Sequence, residues 1–176
     1  LADGGGYSNT YVNITVPGIG DVRIDQGVSG TGIQRMDDMT PSAWEEPDGA
    51  GLSATINKIA GVSAGTNIEV TPEGMPAGLT TRLAFSQDAD SGQANDKVAS
   101  GDSGALGTGW DLTLEASDEL TGVAGLTLYG GISEVDRNQS ATTNTGDAEE
   151  RVIGMKYAVG SFTFGIQDSE DKQGTS

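Results

Sequence analysis

The sequence predicts an all-β chain, an antiparallel up-and-down meander of about eight strands. Three observations carry this. The same strand opening recurs three times, as AGLTTRLAFSQDAD (77–90), AGLTLYGGISEVDR (124–137) and GSFTFGIQDSEDK (160–172). Between the copies lie return strands, WDLTLEAS (110–117) and ERVIGMKYAVG (150–160). Each copy also starts from a compact turn and runs out into a long Asp/Ser/Gly/Asn segment. Short connections therefore fall on one side of the sheet and long ones on the other.

The elements follow in order. Residues 1–9 read as the tail of an exposed loop. In TYVNITV (10–16), Val12, Ile14 and Val16 share one face and Tyr11, Asn13 and Thr15 the other. PGIG turns, and DVRIDQ (21–26) sets Val22 and Ile24 against Arg23 and Asp25, so 10–26 is a hairpin. Residues 27–64 form a long segment rich in acids (Asp37, Asp38, Glu45, Glu46, Asp48), with Trp44, Ile33, Met36 and Met39. A connection of that length signals function or disorder. Within it Thr40 and Pro41 open TPSAWEE as a helix start would.

Residues 65–169 continue the meander. NIEVT (67–71) is a short strand and PEGMPAG a turn. LTTRLAFSQ places Leu79, Thr81, Leu83 and Phe85 opposite Thr80, Arg82 and Ala84. WDLTLEAS places Trp110, Leu112, Leu114 and Ala116 opposite Asp111, Thr113 and Glu115. LTLYGGISEV carries Leu126, Leu128 and Ile132 on one face; ERVIGMKYA sets Ile153, Met155 and Tyr157 against Val152 and Lys156; SFTFGIQ aligns Phe162, Phe164 and Ile166. Several of these stretches are shorter than the ~9–11 residues of a tilted membrane strand.

Composition narrows the function. The chain of 176 residues has 26 acids, 9 bases, no His and no Cys. Thiolate metal sites, disulfides, thiol nucleophiles and every Ser-His-Asp arrangement are excluded. Nucleic acid is disfavoured as a partner, because phosphate binding needs clustered bases. No apolar run reaches the ~18 residues of a membrane helix, and LADGGGYSNT has no signal-peptide pattern. Both ends read as loop, so the expectation is an internal piece of a longer protein. Hydrophobic residues are only 35%, a thin supply for a water-soluble core. A barrel with a polar lumen needs apolar residues on one strand face only, which suits this composition and the unequal connections. Trp110, Tyr157, Phe162 and Phe164 then read as membrane-interface aromatics; in a sandwich they would be core.

Two stretches resemble the general bacterial outer-membrane porins, particularly those of marine and photosynthetic alphaproteobacteria. SNTYVNITVPGIGDVRIDQG (8–27) looks like the hairpin that precedes their constriction loop. GLTLYGGISEVD (125–136) followed by ERVIGMKYAVGSFTFGIQDSED (150–171) has their spacing of strand, loop, strand, tight turn and strand. The resemblance implies part of a transmembrane β-barrel of about sixteen strands, trimeric when full length, in the outer membrane of a Gram-negative bacterium. It implies a passive water-filled channel for small hydrophilic solutes and ions, with no turnover chemistry. Residues 27–64 occupy the place of the inward constriction loop. Asp37, Asp38, Glu45, Glu46 and Asp48 would then face a pore wall bearing Arg23, Arg82, Glu115 and Lys156, with Arg35 a further base, and the excess of acids implies a mild cation preference. The C-terminal aromatic typical of the family is missing.

A second reading stays open: a secreted or cell-surface Gly/Asp-rich β-sandwich that binds Ca²⁺ or glycans. Asp88 and Asp90 begin like a Ca²⁺ loop, but Gly92 falls one position early and no closing Glu follows. No other cofactor is expected. A third use of such a sheet is strand pairing between chains in a filament.

Overall fold

In the computed structural model, which describes residues 10–28, 30–37, 39–40, 59–89, 106–137 and 146–173, eight strands make one sheet in chain order. They are β1 (Thr10–Val16), β2 (Gly20–Gln26), β3 (Thr66–Pro72), β4 (Leu79–Asp88), β5 (Leu106–Ala116), β6 (Leu126–Arg137), β7 (Ala148–Val159) and β8 (Phe162–Gln173). Every neighbouring pair is antiparallel, so the chain is an all-β meander. The connections alternate as the sequence suggests. Tight turns close β1–β2, β3–β4, β5–β6 and β7–β8 at one end, while long segments join the other end. A four-residue helix, α1 (Asp118–Thr121), sits in the β5–β6 turn and ends at Gly122 in a left-handed conformation.

Strands β4 to β8 run 10–12 residues, longer than their sequence patterns indicated. The reason is that their polar, acidic ends still pair: Glu149 opposes Lys172 and Glu150 opposes Asp171. Backbone pairing does not require apolar side chains, so hydrophobic alternation underestimates where such strands stop.

Burial across the sheet is inverted relative to a water-soluble protein. The apolar face is open, with Leu114 45%, Phe164 60% and Phe162 69% exposed. The polar face is covered, with Asp111 and Thr113 at 0% and Glu69 at 3%. What covers it is the connection between β2 and β3. That connection is not featureless: it forms a 3-10 turn at Gly32–Met36 and another at Gly61–Ala64. Both pack on β5 and β6. Ile33, Met36 and Ile59 bury against Tyr129 and Val152, and Val62 buries with Ala84, Ala89, Val135 and Ala148. The small apolar core thus lies between loop and sheet. The Tyr129 ring lies over Gly154, where a side chain would collide with it, and its hydroxyl donates to Gln167 Oε1 at 2.7 Å.

The apolar belt drifts across the hydrogen-bond rows. The row through Ile14 in β1 continues through Val22, Val70, Leu83, Leu112 and Ile132, then reaches Arg151 and Glu170. On β8 the middle of the apolar stretch is Phe164, about six residues from Glu170 along the strand. Over seven strand steps that is about 0.9 residue, or roughly 3 Å, per step of ~4.8 Å. A belt kept level therefore requires strands tilted by about 30°, close to the ~35–45° of closed barrels.

Replacing Gly154 by Val should push the Tyr129 ring off its strand and cost about 1–3 kcal/mol. The check is the denaturation midpoint, together with loss of the Tyr129–Gln167 hydrogen bond.

Candidate functional site: an acidic row beneath the inward loop

The site is built on one transverse row of the polar face. Following the register from β1 to β8, that row reads Asn13, Arg23, Glu69, Ala84, Asp111, Ser133, Glu150 and Asp171. Three carboxylates, Glu69, Asp111 and Glu150, stand on alternate strands, with small Ala84 and Ser133 between them. Two strand spacings separate neighbouring acids by about 9.6 Å. The small residues leave room for backbone to lie on the sheet.

Each acid accepts hydrogen bonds from loop backbone. Asp111 Oδ2 takes the N–H of Ile33 at 2.9 Å and of Val62 at 3.2 Å. Glu69 takes the N–H of Gly32 at 2.7 Å and the Arg35 guanidinium at 2.5 Å. Glu150 takes the N–H groups of Ala60 at 2.9 Å and Gly61 at 2.8 Å. Two residues further along β2, Asp25 accepts from Val28 N–H at 2.7 Å and pairs with Arg23. The two turns are also tied to each other: Gln34 Oε1 accepts from Gly30 N–H at 2.7 Å and from the Ser63 hydroxyl at 2.6 Å.

Local sequence explains why the loop fits. Gly32 and Gly61 have φ of +54° and +52°, and a Cβ on either would overlap the Asp111 carboxylate. Only glycine satisfies both the left-handed backbone and the close approach. The two turns therefore share a pattern, Thr31-Gly32-Ile33 and Ala60-Gly61-Val62, used the same way against one carboxylate.

The expected wall residues all lie on the polar face. Arg23 packs over the Tyr11 ring at 4.2 Å as well as pairing with Asp25. Arg82 approaches Glu115 at 4.0 Å across the β4–β5 pair. Lys156 is half-buried on β7, toward the turn end. Of the expected loop acids, Asp37 follows the first 3-10 turn and its N–H donates to Gln34 O at 3.1 Å. Asp38, Glu45, Glu46 and Asp48 lie outside the described residues, as do Asp90 and residues 41–46 of the expected helical turn. The described contacts run opposite in charge to the expected ones: wall acids hold loop N–H groups and the loop base Arg35. The acids Asp25, Glu69 and Glu150 were not singled out from sequence as site residues, nor was Asp111. The signal was present in two repeated Gly-Ile/Gly-Val turns and in isolated acids on the polar phase of otherwise apolar strands.

The four aromatics lie on the exposed, apolar face. Tyr157, Phe162 and Phe164 sit near the β7–β8 turn, and Phe162 and Phe164 stack at 6.4 Å. Trp110 lies instead toward the loop end, beside Phe85 and Glu134. Asp88 is held through its backbone, accepting from the Ser86 hydroxyl at 2.6 Å. Among the described residues no group of three acids is arranged to hold a metal ion. A shallow hollow of about 230 Å³ opens among Trp110, Ile132, Glu134, Arg151 and Lys172, and Ser133 and Glu150 of the acidic row also line it.

Fold and site together define a β-meander with an open apolar face and a polar face on which a loop docks. No protein-family model, curated protein or solved structure matches the chain.

Arg35→Ala leaves Glu69 with a single backbone donor in a nearly closed environment. Hydrogen bonds to charged groups are worth about 1.5–3 kcal/mol, so proteolytic cleavage within 27–64 should quicken about tenfold. Unchanged cleavage would remove the ion pair from the account of loop docking.

Proposed function

We propose that this chain is part of an outer-membrane channel, a passive water-filled passage for small hydrophilic solutes and ions, narrowed by the docked loop. The observation that carries the reading is the inversion of burial. A sheet in water cannot leave Leu83, Phe85, Leu114, Ile153, Phe162, Phe164 and Ile166 open on one face while covering Asp25, Glu69 and Asp111 on the other without a large hydrophobic penalty. In lipid the arrangement is favourable, since the apolar face meets acyl chains and the polar face lines water. The drift of the belt supports the same environment, because tilted strands keep it level.

The aromatics fit the two interfaces, with Phe162 at one edge of the belt, Tyr157 and Phe164 one pair further in, and Trp110 and Phe85 at the other edge. No helix among the described residues is long and apolar enough to cross a membrane. The resemblance to the general porins supports the same function, a closed barrel built with further strands, and a trimer. The sandwich reading needs Leu112, Leu114, Phe162 and Phe164 in a common core; in this sheet three of the four are exposed.

On the polar face the bases Arg23, Arg35 and Arg82 each have an acid partner. Asp111 and Glu150 are instead satisfied by backbone N–H groups. Acids outnumber bases 26 to 9 over the chain, which favours cations.

Three measurements test this. The native protein, extracted from membranes, should migrate differently on a denaturing gel before and after boiling. The same migration in both, from protein soluble without detergent, would sink the channel reading. Arg23→Ala with Arg82→Ala should shift the reversal potential in a salt gradient further toward cations. Leu112→Arg, at mid-belt on the lipid face, should cost about 2–4 kcal/mol of stability in bilayers, whereas a soluble fold would show no lipid dependence of that loss.

A further inference from the structure

The loop is held by a clasp with approximate two-fold symmetry, and Asp111 is its centre. In each turn the glycine N–H goes to a flanking glutamate and the next residue's N–H goes to Asp111. Gly32 and Ile33 use Glu69 and Asp111; Gly61 and Val62 use Glu150 and Asp111. Glu69 on β3 and Glu150 on β7 each stand two strands from Asp111 on β5. Among these three acids only Asp111 serves both turns.

We propose that Asp111 is the positioning residue of the constriction, joining the two turns so that they dock on the wall as one body and fix the width of the passage. The functional part rests on the channel reading above; the clasp itself does not. Asp111 is fully buried and accepts hydrogen bonds from both turns, so its loss removes the shared anchor rather than one contact. The Gln34–Ser63 hydrogen bond ties the turns directly and transmits the release of one to the other.

The test uses full-length protein in its native lipid or detergent. Amide exchange is followed at Gly32, Ile33, Gly61 and Val62. Asp111→Asn keeps the shape and should speed exchange about tenfold or more at all four, including Gly32 and Gly61, whose own acceptors remain. Faster exchange at Ile33 and Val62 alone would mean two independent bonds, and the clasp would be refuted. Gly61→Ala supplies a second variant that keeps every acid. It should release Ile33, in the opposite turn, and continued protection there would overturn the proposal. Single-channel recording separates the two claims. Conductance that is steady in the wild type and flickers in both variants, with the boil-sensitive gel shift retained, supports the positioning role. Coupled exchange in a protein that carries no current would leave the clasp standing and remove the channel. Steady conductance in both variants would remove Asp111 from control of the passage.

Discussion

A carboxylate sealed against a sheet is tolerable only when donors fill its lone pairs. Asp111 meets that condition by drawing in the backbone of a loop that starts on β2 and ends on β3. The separation is 78 residues to Ile33 and 49 to Val62. Much of the rest depends on this. Ala84 and Ser133 are small so that the loop can lie flat, Gly32 and Gly61 are glycines so that it can come close, and Ile33, Met36, Ile59 and Val62 bury because the loop is there. The folded sheet has little interior of its own. Its interior is made by the docked segment.

The opposite face follows a different rule. Its side chains are aliphatic or aromatic and alternate with the polar phase, so a chain of only 35% hydrophobic residues still presents a continuous apolar belt. The register shows that this belt crosses the hydrogen-bond rows obliquely. Pairing is governed by the backbone, and the belt by the surroundings. Arg151 and Glu170 therefore pair in the same row that carries Leu83 and Leu112 further along the sheet.

Strand number, order and facing were legible because period-two alternation is a strong signal when one face is apolar and the other polar. Leu79, Thr81, Leu83 and Phe85 share a face as the pattern required, and so do Trp110, Leu112 and Leu114. Strand ends were less legible, since Asp168 to Gln173 and Glu149 pair in the sheet but lie outside the strands that the alternation marks. The docking of 27–64 could be anticipated only as a position, through the resemblance. Its anchors could not, because an acid on a polar phase looks alike whether it faces solvent or a loop N–H, and the partners are remote in sequence. The reversed charge sense of Arg35 and Glu69 has the same cause.

That remoteness has a kinetic consequence. The β1–β2 hairpin needs contacts only 6–16 residues apart, such as Thr15 with Asp21 and Thr10 with Gln26, and can form early. The segment that follows it cannot settle then. Its final acceptors include Glu150, 90 residues beyond Ala60, and that carboxylate has no place on the wall until β7 has paired. The order of synthesis and the order of assembly thus diverge: the turns at 30–37 and 59–63 are made early and seated late. Until the wall is largely built, Ile33, Met36 and Val62 have nothing to cover them, and the chain carries an unseated, partly apolar arm. A factor that shields these turns during assembly would act on side chains, Ile33, Met36 and Val62, that are buried in the finished sheet.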